Sequence, residues 1–154
     1  MHAGADLNTA RREMMALLAQ GDAETIERGL VASACGLDAV ELRAPEVGLV
    51  MLRGRIGGTG SAFNIGEASV ARAAVRLASG ETGFSYILGR DVRKARLAAI
   101  CDALWQAEGS RADIEHHILS PLRAARERRL QAEQARTAAT KVDFFTLVRG
   151  EDER

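Results

Sequence analysis

The chain has 154 residues, 47% of them apolar, and balances 21 Lys and Arg against 21 Asp and Glu. That length suits one domain of ordinary size. The neutral balance argues against nucleic acid or an anionic membrane as partner. No apolar run reaches the roughly 18 residues of a membrane span, and the first residues lack the basic and apolar regions of a signal peptide. Cys35 and Cys101 stand 66 residues apart in apolar settings with no CxxC pair. Buried thiols in a reducing cytoplasm are the expectation, so the chain is read as cytoplasmic. Much of the apolar fraction is alanine, which buries little surface per side chain. Part of the chain is therefore expected to owe its order to partners.

In chain order, residues 9–20 place Met14, Leu17 and Leu18 on one helical face, with Gly21 as the stop. Asp22 reads as the N-cap of a second helix that carries Ile26, Leu30 and Val31 inward and ends near Gly36. From Leu37 the period changes to two. LDAVELRAP alternates until Pro45, VGLVMLRGRI follows, a glycine-rich loop GGTGSAFNIGE leads to ASVARAAVRL, and TGFSYILG closes the set. Four locally connected strands imply an antiparallel meander, although ASVARAAVRLAS also fits a helical spacing. Asp91 caps a helix whose stripe is Leu97, Ile100, Cys101 and Leu104, placed to cover one sheet face. A short helix with Ile114 and Ile118 runs to Pro121.

Residues 122–141 hold six Lys or Arg against two Glu, and their large apolar residues are Leu122 and Leu130. So polar a helix has little face to bury on its own domain, and reads as a projecting arm. The expected architecture is a single α+β domain over 1–154. It comprises a helical hairpin (9–36), a four-stranded antiparallel meander covered by helices on one face (37–109), and a C-terminal helical arm and tail (110–154).

The chemistry is sparse. Gly58, Thr59 and Gly60 begin a GxG, but Phe63 occupies the third glycine's place, and no GxxxxGK[ST] occurs. A hairpin loop with positive-φ positions is the simpler reading of this segment. His116 and His117 are adjacent and cannot share a metal in the HxxxH manner, so no metal site is expected. No serine lies in GxSxG and no pair of carboxylates stands out as acid and base, so no catalytic residue is assigned.

Two features remain. Arg53 and Arg55 alternate on one strand, Arg72 and Arg76 on another, and period-two geometry could gather all four as an anion-binding face. An ordinary solvated face is the simpler alternative. Beyond Asp91, the cations Arg93, Lys94 and Arg96 oppose the helix dipole, which an anion or another chain's carboxylate could offset; tolerance of these charges on an exposed helix is the simpler reading.

Three segments, RGRIGGTGSAFNIGEASVARAAVRL (53–77), GFSYILGRD (83–91) and KVDFFTLVRGED (141–152), together resemble the PhnG family of the bacterial carbon–phosphorus lyase system. The similarity runs from about residue 9 to the end. One departure is Ala71, where the family carries Thr. The resemblance implies a cytoplasmic core complex with PhnH, PhnI and PhnJ that breaks down organophosphonates. That complex displaces adenine from ATP with an alkylphosphonate, giving α-D-ribose 1-methylphosphonate 5-triphosphate. It also implies an accessory role: the nucleosidase-like chemistry is attributed to PhnI and a later radical step to PhnJ. No cofactor is expected on this chain alone, with ATP as substrate of the assembly. The alternative is that the four arginines bind the triphosphate of ATP or product directly.

The aromatic tail fits an assembly subunit. Val142, Asp143, Phe144, Phe145, Leu147, Val148 and Arg149 read as a partner interface with the two phenylalanines as anchors. The competing reading folds this tail back over the chain's own sheet.

Overall fold

The structure is a computed structural model, and it describes residues 3–33, 35–57 and 59–140. Helices α1 (Ala3–Gln20) and α2 (Ala23–Ala32) precede strands β1 (Val40–Gly54), β2 (Phe63–Arg76) and β3 (Thr82–Leu88). Helices α3 (Val92–Gln106) and α4 (Glu108–Ile114), a π-turn over Glu115–Leu119 and helix α5 (Ser120–Ala139) complete the order. The strands form an antiparallel sheet in the order β1-β2-β3.

Among the described residues the expected four strands are therefore three. Pro45 does not divide VELRAP from EVGLVMLRG; one strand runs through it. β1 is an edge strand, and its pairing with β2 is irregular between Glu41 and Arg43 and again between Arg43 and Glu46. Proline lacks an N–H for the ladder, and a bulge on an edge strand leaves that donor unneeded. A third irregularity, between Leu52 and Arg53, bends the far end of the hairpin. β2 also starts earlier than expected, at Phe63, so the glycine-rich connection shrinks to residues 55–62.

The core lies on one side of the sheet. Ala71, Ala73 and Val75 of β2 and Ile87 of β3 meet Leu97, Ala98, Ile100, Cys101 and Leu104 of α3. Met14, Leu18, Ile26, Leu30, Ile114, Ile118, Leu119 and Leu122 join the same cluster from the other helices. Val31, expected inward, is exposed. α3 is buried around most of its circumference, including Ala95, Ala99 and Ala103. Alanines let neighbours approach closely, and Gly83 of β3 takes this furthest: a side chain there would run into the Ala99 carbonyl.

Local signals hold the helices in place. Asp22 accepts a hydrogen bond from the Thr25 N–H at 2.7 Å, and Asp91 does the same for Lys94 at 2.8 Å. Both are N-caps. The cations that oppose the α3 dipole are met within the chain. Arg93 pairs with Glu27, Arg96 Nε with Glu41 at 2.9 Å, and Lys94 Nζ donates to the Ala19 carbonyl at 2.6 Å.

Pro121 does not end its helix. The π-turn ahead of it places the Ser120 N–H on the Glu115 carbonyl, five residues back. Proline has no N–H for the His117 carbonyl. That carbonyl instead lies against Gly29 of α2, where a Cβ would stand 2.6 Å from the oxygen.

Candidate functional site

Opposite the helices, the sheet keeps Val70 and Ala74 buried but leaves the side chains of β3 open. Register places Val70, Arg72, Ala74 and Arg76 of β2 beside Leu88, Tyr86, Phe84 and Thr82 of β3, all on the face away from the core. Phe84, Tyr86 and Leu88 are 51%, 60% and 74% exposed. Side chains of this size on water are an unusual use of a chain with only six aromatics. On the same face, β1 contributes Glu46, Gly48, Val50 and Leu52.

The β1–β2 hairpin extends this apolar surface. From Val47 onward, its second face exposes Val47, Leu49 and Met51, while Leu52, Phe63 and Ile65 are also open. Both sides of the hairpin are thus apolar and solvent-facing, as a segment shaped for insertion between other surfaces would be.

The sheet arginines divide. Arg72 and Arg76 share the uncovered face but stand four residues apart, roughly 13 Å along the strand. Arg72 Nε is bound to Glu46 Oε1 at 2.9 Å, and Arg43 approaches the same oxygen at 3.6 Å. Arg53 lies opposite Asn64, some 27 Å from Arg72 along β2. It alternates onto the face opposite Leu52, and Arg55 falls beyond the strand. The structure therefore brings two of the four to one face, one of them already neutralised by a carboxylate.

The arm is the third component. α5 buries Leu122 and no later residue, and it packs on the π-turn and α1. Its side chains pair locally, Arg129 with Glu133 at 3.0 Å and Arg123 with Glu115 at 2.8 Å. A groove of about 210 Å³ lies where Leu130, Arg126 and Arg129 face Leu17 and Gly21. The tail interface expected at Val142–Arg149, with Phe144 and Phe145, lies outside the described residues.

Chemistry of the enzymatic kind has little to work with among the described residues. None of their His, Cys, Asp and Glu side chains form a group of three or more that could hold a metal ion. His116 and His117 meet edge to face, with ring centroids 4.8 Å apart. Burial, with the Asp102 charge next to it, pushes the Cys101 thiol far above the range of a usable nucleophile. Cys35 is partly buried against the same core.

Sequence reasoning missed one buried polar centre. Arg11 clamps Asp102 with two hydrogen bonds, at 2.7 and 2.6 Å, and Asp102 also accepts the Phe84 N–H at 2.9 Å. The Asp102 hydrogen bond holds the Arg11 guanidinium even more firmly protonated than usual. This is a joint between α1, α3 and β3, and an aspartate inside the apolar run AAICDALW was its available signal.

The family described as phosphonate metabolism protein PhnG matches residues 9–150. Over 143 residues the chain is 50% identical to the α-D-ribose 1-methylphosphonate 5-triphosphate synthase subunit PhnG of Rhizobium meliloti (strain 1021), a span covering 92% of this chain and 90% of that protein.

Proposed function

The chain belongs to the PhnG family of phosphonate metabolism proteins, and we propose on that premise that it is the PhnG subunit of an α-D-ribose 1-methylphosphonate 5-triphosphate synthase. Its role there is accessory: it shapes and stabilises the assembly that displaces adenine from ATP with an alkylphosphonate. PhnH, PhnI and PhnJ are its partners, the cytoplasm is its compartment, and the groups that act on ATP come from other chains.

One observation carries this reading. An uncovered sheet face with Phe84, Tyr86 and Leu88 continues into a hairpin that is apolar on both sides. Covering such a surface suits a permanent complex, where interfaces resemble a domain core cut in half. The tail, Val142 to Arg149, supplies a second anchoring element through Phe144 and Phe145.

Co-expression with the three other subunits and purification through a tag on this chain tests it. A stoichiometric complex is expected. Phe84→Asp with Tyr86→Asp should remove co-purification while the tagged chain keeps its helical circular dichroism. Each aromatic lost from a buried interface is worth about 1.5–3 kcal/mol, or ten- to over a hundredfold in affinity. Full assembly by the double variant would move the interface elsewhere, and a lone folded chain would sink the accessory reading.

A further inference from the structure

The β1–β2 hairpin outruns its support. β3 ends at Leu88, opposite Val70, so beyond Gly48 and Val70 the sheet narrows to two strands, 49–54 and 63–69. The first of these runs on for roughly 17 Å. On the side that continues the core face, Leu49 and Met51 are exposed, so no helix of the described residues backs them. A two-stranded ribbon is marginal in water by itself. One that is apolar on both sides takes its support from another chain.

The tip of this ribbon carries charge of one sign. Between Met51 and Glu67 the charged residues are Arg53 and Arg55. Elsewhere the chain meets its cations with glutamates: Arg43 and Arg72 share Glu46, Arg93 pairs with Glu27 and Arg96 with Glu41. Arg53 and Arg55 are exposed and enter no ion pair among the described residues. The backbone that presents them is closely built. Ile65 packs against Gly54, between the two arginines, and leaves no room for a Cβ; the Ile56 carbonyl does the same at Gly60. Gly57 turns the chain at a φ of 69°. Thr59 and Ser61 add hydroxyl donors to the loop. Donors gather at the tip, and no carboxylate within the described residues answers them.

Insertion turns this into a requirement. A partner that covers Leu52, Phe63 and Ile65 also takes the neighbouring guanidiniums out of water, and a buried charge left unpaired is strongly unfavourable. The partner therefore offers negative charge where the tip lands. Two unpaired arginines call for more than one carboxylate, and their planar forks match phosphate oxygens. In a synthase whose substrate and product both carry a triphosphate, that group is the densest anion at hand. Resting on the subunit reading, we propose that Arg53 and Arg55 bind this triphosphate from the hairpin tip, inserted into the crevice where a partner chain holds ATP. The exchange takes place at the other end of the ribose, so the triphosphate passes from substrate to product unchanged. The two arginines hold and orient the substrate, and the chemistry stays with other chains. A contact made equally in ground state and transition state lowers KM and leaves kcat alone.

The assembled synthase carrying Arg53→Gln with Arg55→Gln tests this. Stoichiometric assembly is expected, with the KM for ATP raised at least about tenfold, the typical worth of a hydrogen bond between charged groups. The kcat should stay within about twofold. Inorganic tripolyphosphate should compete with ATP in the parent assembly and weaken by the same factor in the variant, while inhibition by adenine, which has no phosphate, should be the same in both. An unchanged KM overturns the proposal. A fall in kcat alone overturns it too, and so does an equal weakening of adenine, since neither is the signature of a triphosphate contact. Loss of assembly overturns it as well, and gives the arginines to a partner's carboxylates. The subunit reading fails on a different result: a parent chain, with both arginines in place, that never co-purifies with the synthase partners.

Discussion

Asp102 shows how much one side chain can join. It is buried, bound twice by Arg11, and accepts the Phe84 N–H. Asp102→Ala leaves a guanidinium and an amide without their acceptor. Breaking a fully buried pair costs about 3–5 kcal/mol. Arg11 keeps a third of its side-chain exposure, so about 2–3 kcal/mol is expected, read as a lower urea midpoint. Asp102→Asn retains an acceptor for Phe84 and should cost less. Asp22 offers a pH test. The Thr25 N–H holds its carboxyl below the ordinary carboxylate range. The folded form therefore favours the charged group, so the stabilisation is present above that range and disappears as pH falls through it. Asp22→Ala should destabilise the protein by about 1 kcal/mol at neutral pH, and melting curves of the two proteins should converge in acid. At this scale the sequence was legible wherever a signal is local. Both N-caps could be read because a cap needs only its own next turn. The Arg11–Asp102 joint could not, because its partners are 91 residues apart.

Among the elements, α2 and the π-turn also cross closely. A methyl group at Gly29 would meet both the His117 carbonyl and the Ile118 side chain. Backbone cannot yield as a side chain can, so Gly29→Ala is expected to cost about 1–3 kcal/mol despite its better helix propensity. Equilibrium denaturation would check the sign: a more stable alanine variant would mean that α2 shifts freely. The buried stripe of α3 and the apolar face of α1 followed from periodicity alone. The strand count did not. Pro45 in an alternating segment reads as a stop, and only the position of β1 at the sheet edge makes it tolerable. Pro121 misleads in the same way, because the π-turn that accommodates it depends on packing against α2. The four-arginine face failed to gather for a related reason. Alternation was read correctly within each strand, but register and the irregularity at Leu52/Arg53 decide which faces coincide.

The whole molecule divides into a packed domain that ends at Leu122 and an arm that buries nothing more of its own. A chain shortened to end at Ala125 should therefore keep its thermal midpoint to within a few degrees, as measured by circular dichroism. A collapse of cooperativity would show that the arm supports the fold after all. The polar composition of residues 122–141 made this division readable from sequence, because an amphipathic stripe is what ties a helix to its domain. What the uncovered face and hairpin receive was not readable, since nothing in an alternating strand says which apolar side meets its own helices. The π-turn adds a geometric consequence. Removing one residue from Glu115–Leu119 would rotate everything downstream by about 100° and draw the tip back by about 1.5 Å. The compass bearing of the arm is thus encoded in the length of a five-residue turn. A lineage could re-aim the arm toward a different neighbour by a single-codon insertion or deletion there, with the charges of α5 unchanged.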